Sequence, residues 1–187
     1  MAQTTKRALS ASLKKLLSQK TLDKITVVDI VEDCEVNRQT FYYHFKDVYD
    51  LLEWTFLNEA KQVLKGRKNY DTWQEGFLRV LVSLAENKPF VLNTYHSVSR
   101  EYLERYLYGE TFGLLLAVVE ELAGDMSVHE DDKNFIASLY KYAFVGLTLE
   151  WIGTGMKQEP RELVAQLSRV IHGDIAAALE RCRTDKT

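Results

Sequence analysis

Apolar positions recur at three- and four-residue intervals almost from end to end of this chain, the spacing that lines one face of an α-helix. Leu9, Leu13, Leu16 and Leu17 place a first helix from about Thr5 to Lys20. After a break at Thr21 to Ile25, Thr26-Val27-Val28-Asp29 has the form of a capping box, in which Thr26 accepts from a free helical N–H and Asp29 reaches back. The second helix turns Val27, Ile30, Val31 and Cys34 inward. A bend at Glu35-Val36 leads to Asn37, a favoured N-cap for a third helix ending at Phe45. Phe41 and Phe45 stand one turn apart and bury together, which leaves Arg38, Gln39, Tyr42, Tyr43 and Lys46 facing out. Two short helices joined by three or four residues, the second with a polar and aromatic outer face, describe a helix-turn-helix with its recognition helix.

Asp47 caps a fourth helix that carries Val48, Leu51, Leu52, Thr55 and Phe56 and continues toward Arg67. Asp71-Thr72-Trp73-Gln74 opens a fifth, to about Asn87, and Pro89 suits the first turn of a short sixth. A seventh runs from about Arg100 to Leu122, stopping near Gly124. Ser127-Val128-His129-Glu130 forms a further capping box for an eighth helix to about Gly155, and Pro160 opens a ninth that ends near Arg183. Nine helices without an internal repeat make the expected fold all-α. Residues 1–48 are expected to form a three-helix DNA-binding domain, and residues 49–187 a helical domain for effector binding and dimerisation.

The last two helices are too apolar for a single buried face. Leu139, Tyr142, Ala143, Gly146, Leu147 and Trp151 cover much of the eighth, and Leu163, Val164, Leu167, Val170, Ile171, Ile175, Ala178, Leu179 and Cys182 a broad side of the ninth. A four-helix interface between two copies satisfies this surplus, with Leu139, Ala143, Gly146, Leu147, Leu167, Ile171, Ile175 and Ala178 at its centre. The competing reading is that the same residues close the core of a monomer.

Composition narrows the classes. At 187 residues with 46% hydrophobic and 27% charged positions the chain can bury a core without staples. Cys34 and Cys182 lie far apart, with no C-x-x-C pair, which points to a reducing, cytoplasmic setting and away from zinc. The longest apolar stretch, Phe112 to Val119, is far short of the roughly 20 residues of a membrane span. His44, His96, His129 and His172 are scattered without metal or catalytic spacing, and no phosphate-binding glycine loop is present. No catalytic residue, metal or cofactor is expected. The net charge is -3, yet residues 1–22 hold Lys6, Arg7, Lys14, Lys15 and Lys20 without an acid, so that segment is +5 and the remainder -8. Such a basic end suits phosphate contacts, or else a solvated helix face.

The stretch TVVDIVEDCEVNRQTFYYHFKDVYDLL, Thr26 to Leu52, resembles the DNA-binding signature of the TetR/AcrR family of transcriptional regulators, with Thr40, Tyr42, His44, Phe45 and Leu51 carrying the likeness. NRQTFYYHFKDVYDLLEW, with Trp151-Ile152-x-x-Gly155 and Pro160 downstream, is similar to the branch that contains dihydroxyacetone kinase operon regulators. Glu35 departs from the glycine often found in the turn, and Val48 from a phosphate-contacting Lys that Lys46 can replace. The resemblance implies a homodimer on a palindromic operator, with an effector changing the spacing of two reading heads.

On this reading Gln39 pairs with adenine N6 and N7, and Arg38 with guanine or phosphate. Thr40 meets the groove edge, while Thr26, Tyr42, Tyr43, His44 and Lys46 anchor the backbone beside the cap residue Asn37. The two half-sites of the double-stranded DNA then lie about one helical turn, ~34 Å, apart or modestly wider. Trp54, Trp73, Phe77, Tyr95, His96, Tyr102, Tyr106 and Phe112 are candidate lining for an effector cavity, against the alternative that they are packing. The effector is a small molecule or a protein partner. A rival reading is a helical adaptor module that has lost specific DNA binding, which the acids Glu32, Asp33 and Glu35 beside the turn would suit.

Overall fold

A computed structural model describes residues 2–63, 73–97 and 100–185. Among these the chain forms ten α-helical segments: α1 (Ala2–Leu17), α2 (Val27–Asp33), α3 (Arg38–His44), α4 (Val48–Val63), α5 (Trp73–Glu86), α6 (Lys88–Tyr95), α7 (Arg100–Ala123), α8 (Glu130–Gly153), α9 (Pro160–Ile171) and α10 (Asp174–Arg181). The nine-helix plan holds, with one addition: the expected ninth helix is broken into α9 and α10. Gly173 takes a φ of 79°, the left-handed region that a side chain disfavours, and the chain bends there. Both halves of the stripe still bury, through Leu163, Val164 and Leu167 on α9 and Ile175 and Leu179 on α10. The expected start of α5 at Asp71-Thr72 and the end of α4 near Arg67 lie outside the described residues.

The chain divides into two compact units, residues 1–59 with 86–106, and residues 60–85 with 107–187. The first contains the helix-turn-helix together with most of α4, α6 and the first turns of α7. Leu9, Leu13 and Leu17 are fully buried on α1, as are Ile30, Phe41, Leu51 and Leu52. Each such side chain contributes about 1.5–3 kcal/mol by leaving water. Three polar contacts then fix how α1 meets its neighbours. Buried Thr55 on α4 bonds the Ser10 hydroxyl at 2.9 Å, and Ser12 donates to the Ile30 carbonyl of α2 at 3.2 Å. The Asn93 amide of α6 donates to the Leu17 carbonyl at 2.7 Å, satisfying one of the acceptors that a helix end leaves open. A buried hydroxyl without such a partner costs about 1–3 kcal/mol, so these contacts select one arrangement among several greasy ones.

In the second unit Phe144 of α8 receives Trp73 and Phe77 of α5, with ring centroids 5.4 and 4.8 Å away. Leu114, Leu115 and Val118 of α7, Ile152 of α8 and Leu179 of α10 complete the buried centre. The indole of Trp151 donates to the Gln158 carbonyl at 2.8 Å and ties down the α8–α9 connection. One expectation fails here. The capping box at Ser127 to Glu130 does not form; α8 begins at Glu130, with His129 as an N-cap that makes no side-chain bond. Ser127 and Val128 are instead drawn out against the C-terminal segment: Val128 pairs with Arg183 in an antiparallel bridge, and the Ser127 carbonyl accepts from both the N–H and the hydroxyl of Thr184.

Candidate nucleic-acid interface

The reading head is built from its caps. Thr26 accepts from the Asp29 N–H while the Asp29 carboxylate accepts from the Thr26 N–H at 2.7 Å, the full capping box the sequence predicts. That backbone hydrogen bond, with help from the Thr26 hydroxyl and Lys20, holds the Asp29 carboxyl below its ordinary pKa. At its other end α2 closes with two bonds, Glu35 N–H to Glu32 O and Val36 N–H to Val31 O. These are the paired bonds of a Schellman ending, which needs a left-handed residue between them. Glu35 supplies it, at φ 54°. The Asn37 side chain then caps α3, accepting from the Thr40 N–H at 2.8 Å and the Thr40 hydroxyl at 2.9 Å. Asp47 does the same for α4 at the Asp50 N–H.

These local decisions orient α3. Phe41 and Phe45 are buried with centroids 6.0 Å apart. Arg38, Gln39 and Lys46 are exposed, Thr40 and His44 half-buried. Tyr42 and Tyr43 stand 58% and 83% exposed, so neither packs into the small core. Large aromatics bared to this degree beside two cations form a surface able to meet a phosphate backbone and base edges. The nine expected contact residues therefore fall into two groups. Arg38, Gln39, Tyr42, Tyr43, His44 and Lys46 project from or follow α3. Thr26, Asn37 and Thr40 have side chains engaged in caps, and the hydroxyl protons of Thr26 and Thr40 already go to Asp29 and Asn37. Phosphate offers only acceptors, so these hydroxyls reach it only by giving up those bonds.

The basic segment is partly neutralised inside the unit. Lys15 pairs with Asp33 and Lys20 with Asp29, and the Lys15 ammonium holds the Asp33 carboxyl below its ordinary range. Lys6 lies over the rings of Phe45 and Trp54, 5.2 and 5.9 Å from their centroids. Glu32 and Glu35 remain exposed.

The eight aromatic and histidine candidates for effector lining are distributed over both units. Trp54 packs edge-on against Phe45, Tyr106 stacks on Phe56, Tyr102 stacks on Tyr49, and Tyr95 meets His96 edge-on under Arg100. Trp73 and Phe77 meet at Phe144, and Phe112 lies under Lys141. A cavity of about 20 Å³ between Trp73, Gln74, Leu122, Ser168 and the α9–α10 bend has room for a water and not for an effector of ordinary size. Of the interface candidates, Leu139, Ala143, Gly146 and Leu147 are exposed on α8. Leu167 and Ile175 are buried within the chain, while Ile171 and Ala178 are half-buried. Two bared residues extend this surface beyond the sequence reading: Phe135, one turn before Leu139 on the same stripe, and Val170 on α9.

Residues 9–53 match the family described as bacterial regulatory proteins, tetR family, and residues 71–173 match a transcriptional regulator C-terminal region of TetR type. The second match alone spans more than half of the chain, and the protein belongs to the TetR family: it is a DNA-binding transcriptional regulator with a C-terminal effector domain. Among individual relatives it is similar to the HTH-type dhaKLM operon transcriptional activator DhaS of Lactococcus lactis, with 27% identity over 173 residues, 91% of this chain and 90% of that one. A solved structure of a dihydroxyacetone kinase operon activator DhaS superposes with a TM-score of 0.73 at 25% identity, covering 96% of this chain and 98% of its own. NalD, a secondary repressor of the MexAB-OprM multidrug efflux pump in Pseudomonas aeruginosa, shares the fold at 15% identity and a TM-score of 0.61, with both chains fully covered. No helix among the described residues is long and apolar enough to cross a membrane.

Proposed function

We propose that the protein acts as a homodimer that places two α3 helices in successive major grooves of an inverted-repeat operator. The observation that carries this is the outer face of α3, where Arg38, Gln39, Tyr42 and Tyr43 are all exposed while Phe41 and Phe45 anchor the helix from behind. Gln39 and Arg38 read base edges; Tyr42, Tyr43, His44 and Lys46 set register on phosphates, with Thr26, Asn37 and Thr40 holding the helix starts. The dimer forms through the apolar stripe of α8, Phe135, Leu139, Tyr142, Ala143, Gly146 and Leu147, joined by Val170. Four large apolar side chains left in water on one helix are a surface that a second copy covers. An effector, small molecule or protein, binds the C-terminal domain and favours one spacing of the heads. By likeness to DhaS, promoters of dihydroxyacetone kinase genes are the first to test.

The test is selection of bound sequences from random duplex DNA by the purified protein, repeated across salt concentrations. Enrichment of a palindrome with half-sites about one turn apart is the expected result. Binding that is uniform across sequences and vanishes with salt would reduce the surface to a counterion effect. No DNA binding by a folded dimer would favour the adaptor reading, which Glu32 and Glu35 and the two lysines paired with Asp29 and Asp33 support.

A further inference from the structure

Tryptophan carries one polar group, an indole N–H that can only donate, and burial leaves it in need of an acceptor. The Trp151 indole has the Gln158 carbonyl at 2.8 Å. Trp73, 4% exposed at the start of α5, packs its ring on Phe144 and makes no hydrogen bond among the described residues. Native proteins leave few buried donors unmet, and the exceptions commonly face a bound water or ion.

Trp73 lines the cavity of about 20 Å³ between the N-terminus of α5 and the bend joining α9 to α10, all of it within the second unit. Donors dominate the rest of its wall. Helix α10 starts at the bend with Gly173 as its N-cap, which has no side chain to close the helix. The Ala177 N–H bonds the Gly173 carbonyl at 2.9 Å. The N–H groups of Ile175 and Ala176, both residues of the lining, come before it, where a helix leaves its donors open. The Ser168 hydroxyl lies 3.5 Å from the Gln74 amide nitrogen, accepts from it, and keeps its own proton to give. Against these the lining side chains offer only Gln74 Oε1 and the His172 ring as further acceptors, and no carboxylate. Asp174, in the first turn of α10, is exposed and lies outside the lining. His172 and Gly173 are exposed and leave the mouth open to solvent.

We propose that this cavity binds a small inorganic anion of halide size, and that the anion is the acceptor for the Trp73 indole, the Ser168 hydroxyl and the N–H groups that open α10. A water fits the same volume, but it has two protons of its own to place and two lone pairs with which to accept. An anion accepts from every donor on the wall and is drawn by the positive end of α10. Bound there, it joins α5 to the α9–α10 bend inside the C-terminal domain. The site stands independently of how the protein reads DNA.

The test unfolds the full chain by heat at constant ionic strength while chloride replaces gluconate, an anion too large to enter. A site half-filled at about 20 mM raises Tm by about 3–6 °C between about 5 and 300 mM chloride. Trp73→Phe keeps the ring on Phe144 and loses the N–H, and Ser168→Ala loses the hydroxyl. Each weakens the site about tenfold and leaves a rise of about 1–2 °C. Crystals soaked in bromide then locate the ion by its anomalous scattering, with a peak expected within hydrogen-bonding distance of Trp73 Nε1. That readout needs only the wild-type protein. No rise in Tm, a rise equal in wild type and both variants, or a cavity without bromide overturns the proposal and leaves water as the occupant.

Discussion

Glu35 is the place where the recognition turn works against its own residue. The Schellman ending of α2 needs a left-handed conformation, and Glu35 holds it at φ 54° although it carries a Cβ. A non-glycine residue there costs about 1–2 kcal/mol. Glu35→Gly removes that strain but adds unfolded-state freedom worth roughly 0.5–1 kcal/mol. The net gain is therefore about 0.5–1 kcal/mol, a rise of about 1–4 °C in Tm for a chain of this size. Urea unfolding checks it: the midpoint moves up while the slope stays fixed, because the surface exposed is the same. Two further variants separate causes. Glu35→Ala keeps the Cβ and loses the charge; Glu35→Gln keeps size and Cβ and loses the charge. Glycine must exceed both in stability, and equality of glycine with alanine would refute backbone strain at Glu35. All three variants remove a negative charge beside α3, so all three tighten operator binding at low salt and converge with wild type as salt rises.

Other outcomes follow from the same geometry. Asn37→Ala removes the acceptor for the Thr40 N–H and costs about 1 kcal/mol in denaturant unfolding, with loss of operator binding that exceeds the stability effect. In binding titrations Gln39→Ala relaxes specificity at one base pair by about 1–3 kcal/mol, whereas Lys46→Ala weakens all sequences alike and lowers the salt slope by about one unit. Asp29→Asn weakens the cap of α2 at neutral pH. The Asp29 pKa is depressed in the folded state, so its contribution is present above the ordinary carboxylate value of 3.8 and disappears as pH falls through the folded value. Stability curves of Asp29→Asn and wild type must therefore converge in acid, and a constant gap would sink the assignment. Leu139→Glu, on the bared stripe of α8, yields a monomer by sedimentation with its helical content intact.

The parts of this molecule legible in the sequence are those governed by neighbours three or four residues apart. The Thr26–Asp29 box, the Asn37 and Asp47 caps and the burial of Phe41 with Phe45 are all local, and together they dictate which side of α3 faces out. Where a distant segment competes, the local signal loses. Ser127 and Glu130 have the right spacing for a capping box, but Thr184, 57 positions away, takes the Ser127 carbonyl and the box never forms. The break at Gly173 was equally hidden, because the apolar stripe runs through it without losing phase. Such a stripe reports only that a face is covered, and not by what. Leu139 and Leu167 looked alike in sequence; the first is bare and the second buried by its own chain. The same limit governs the aromatic candidates, since Trp73 and Phe77 have Phe144 as their partner and Tyr106 has Phe56. What sequence leaves undetermined is thus the set of long-range partners. In a regulator that is also where the signal travels, because an effector acts by changing which distant surfaces meet, while the caps that aim α3 stay as their neighbours set them.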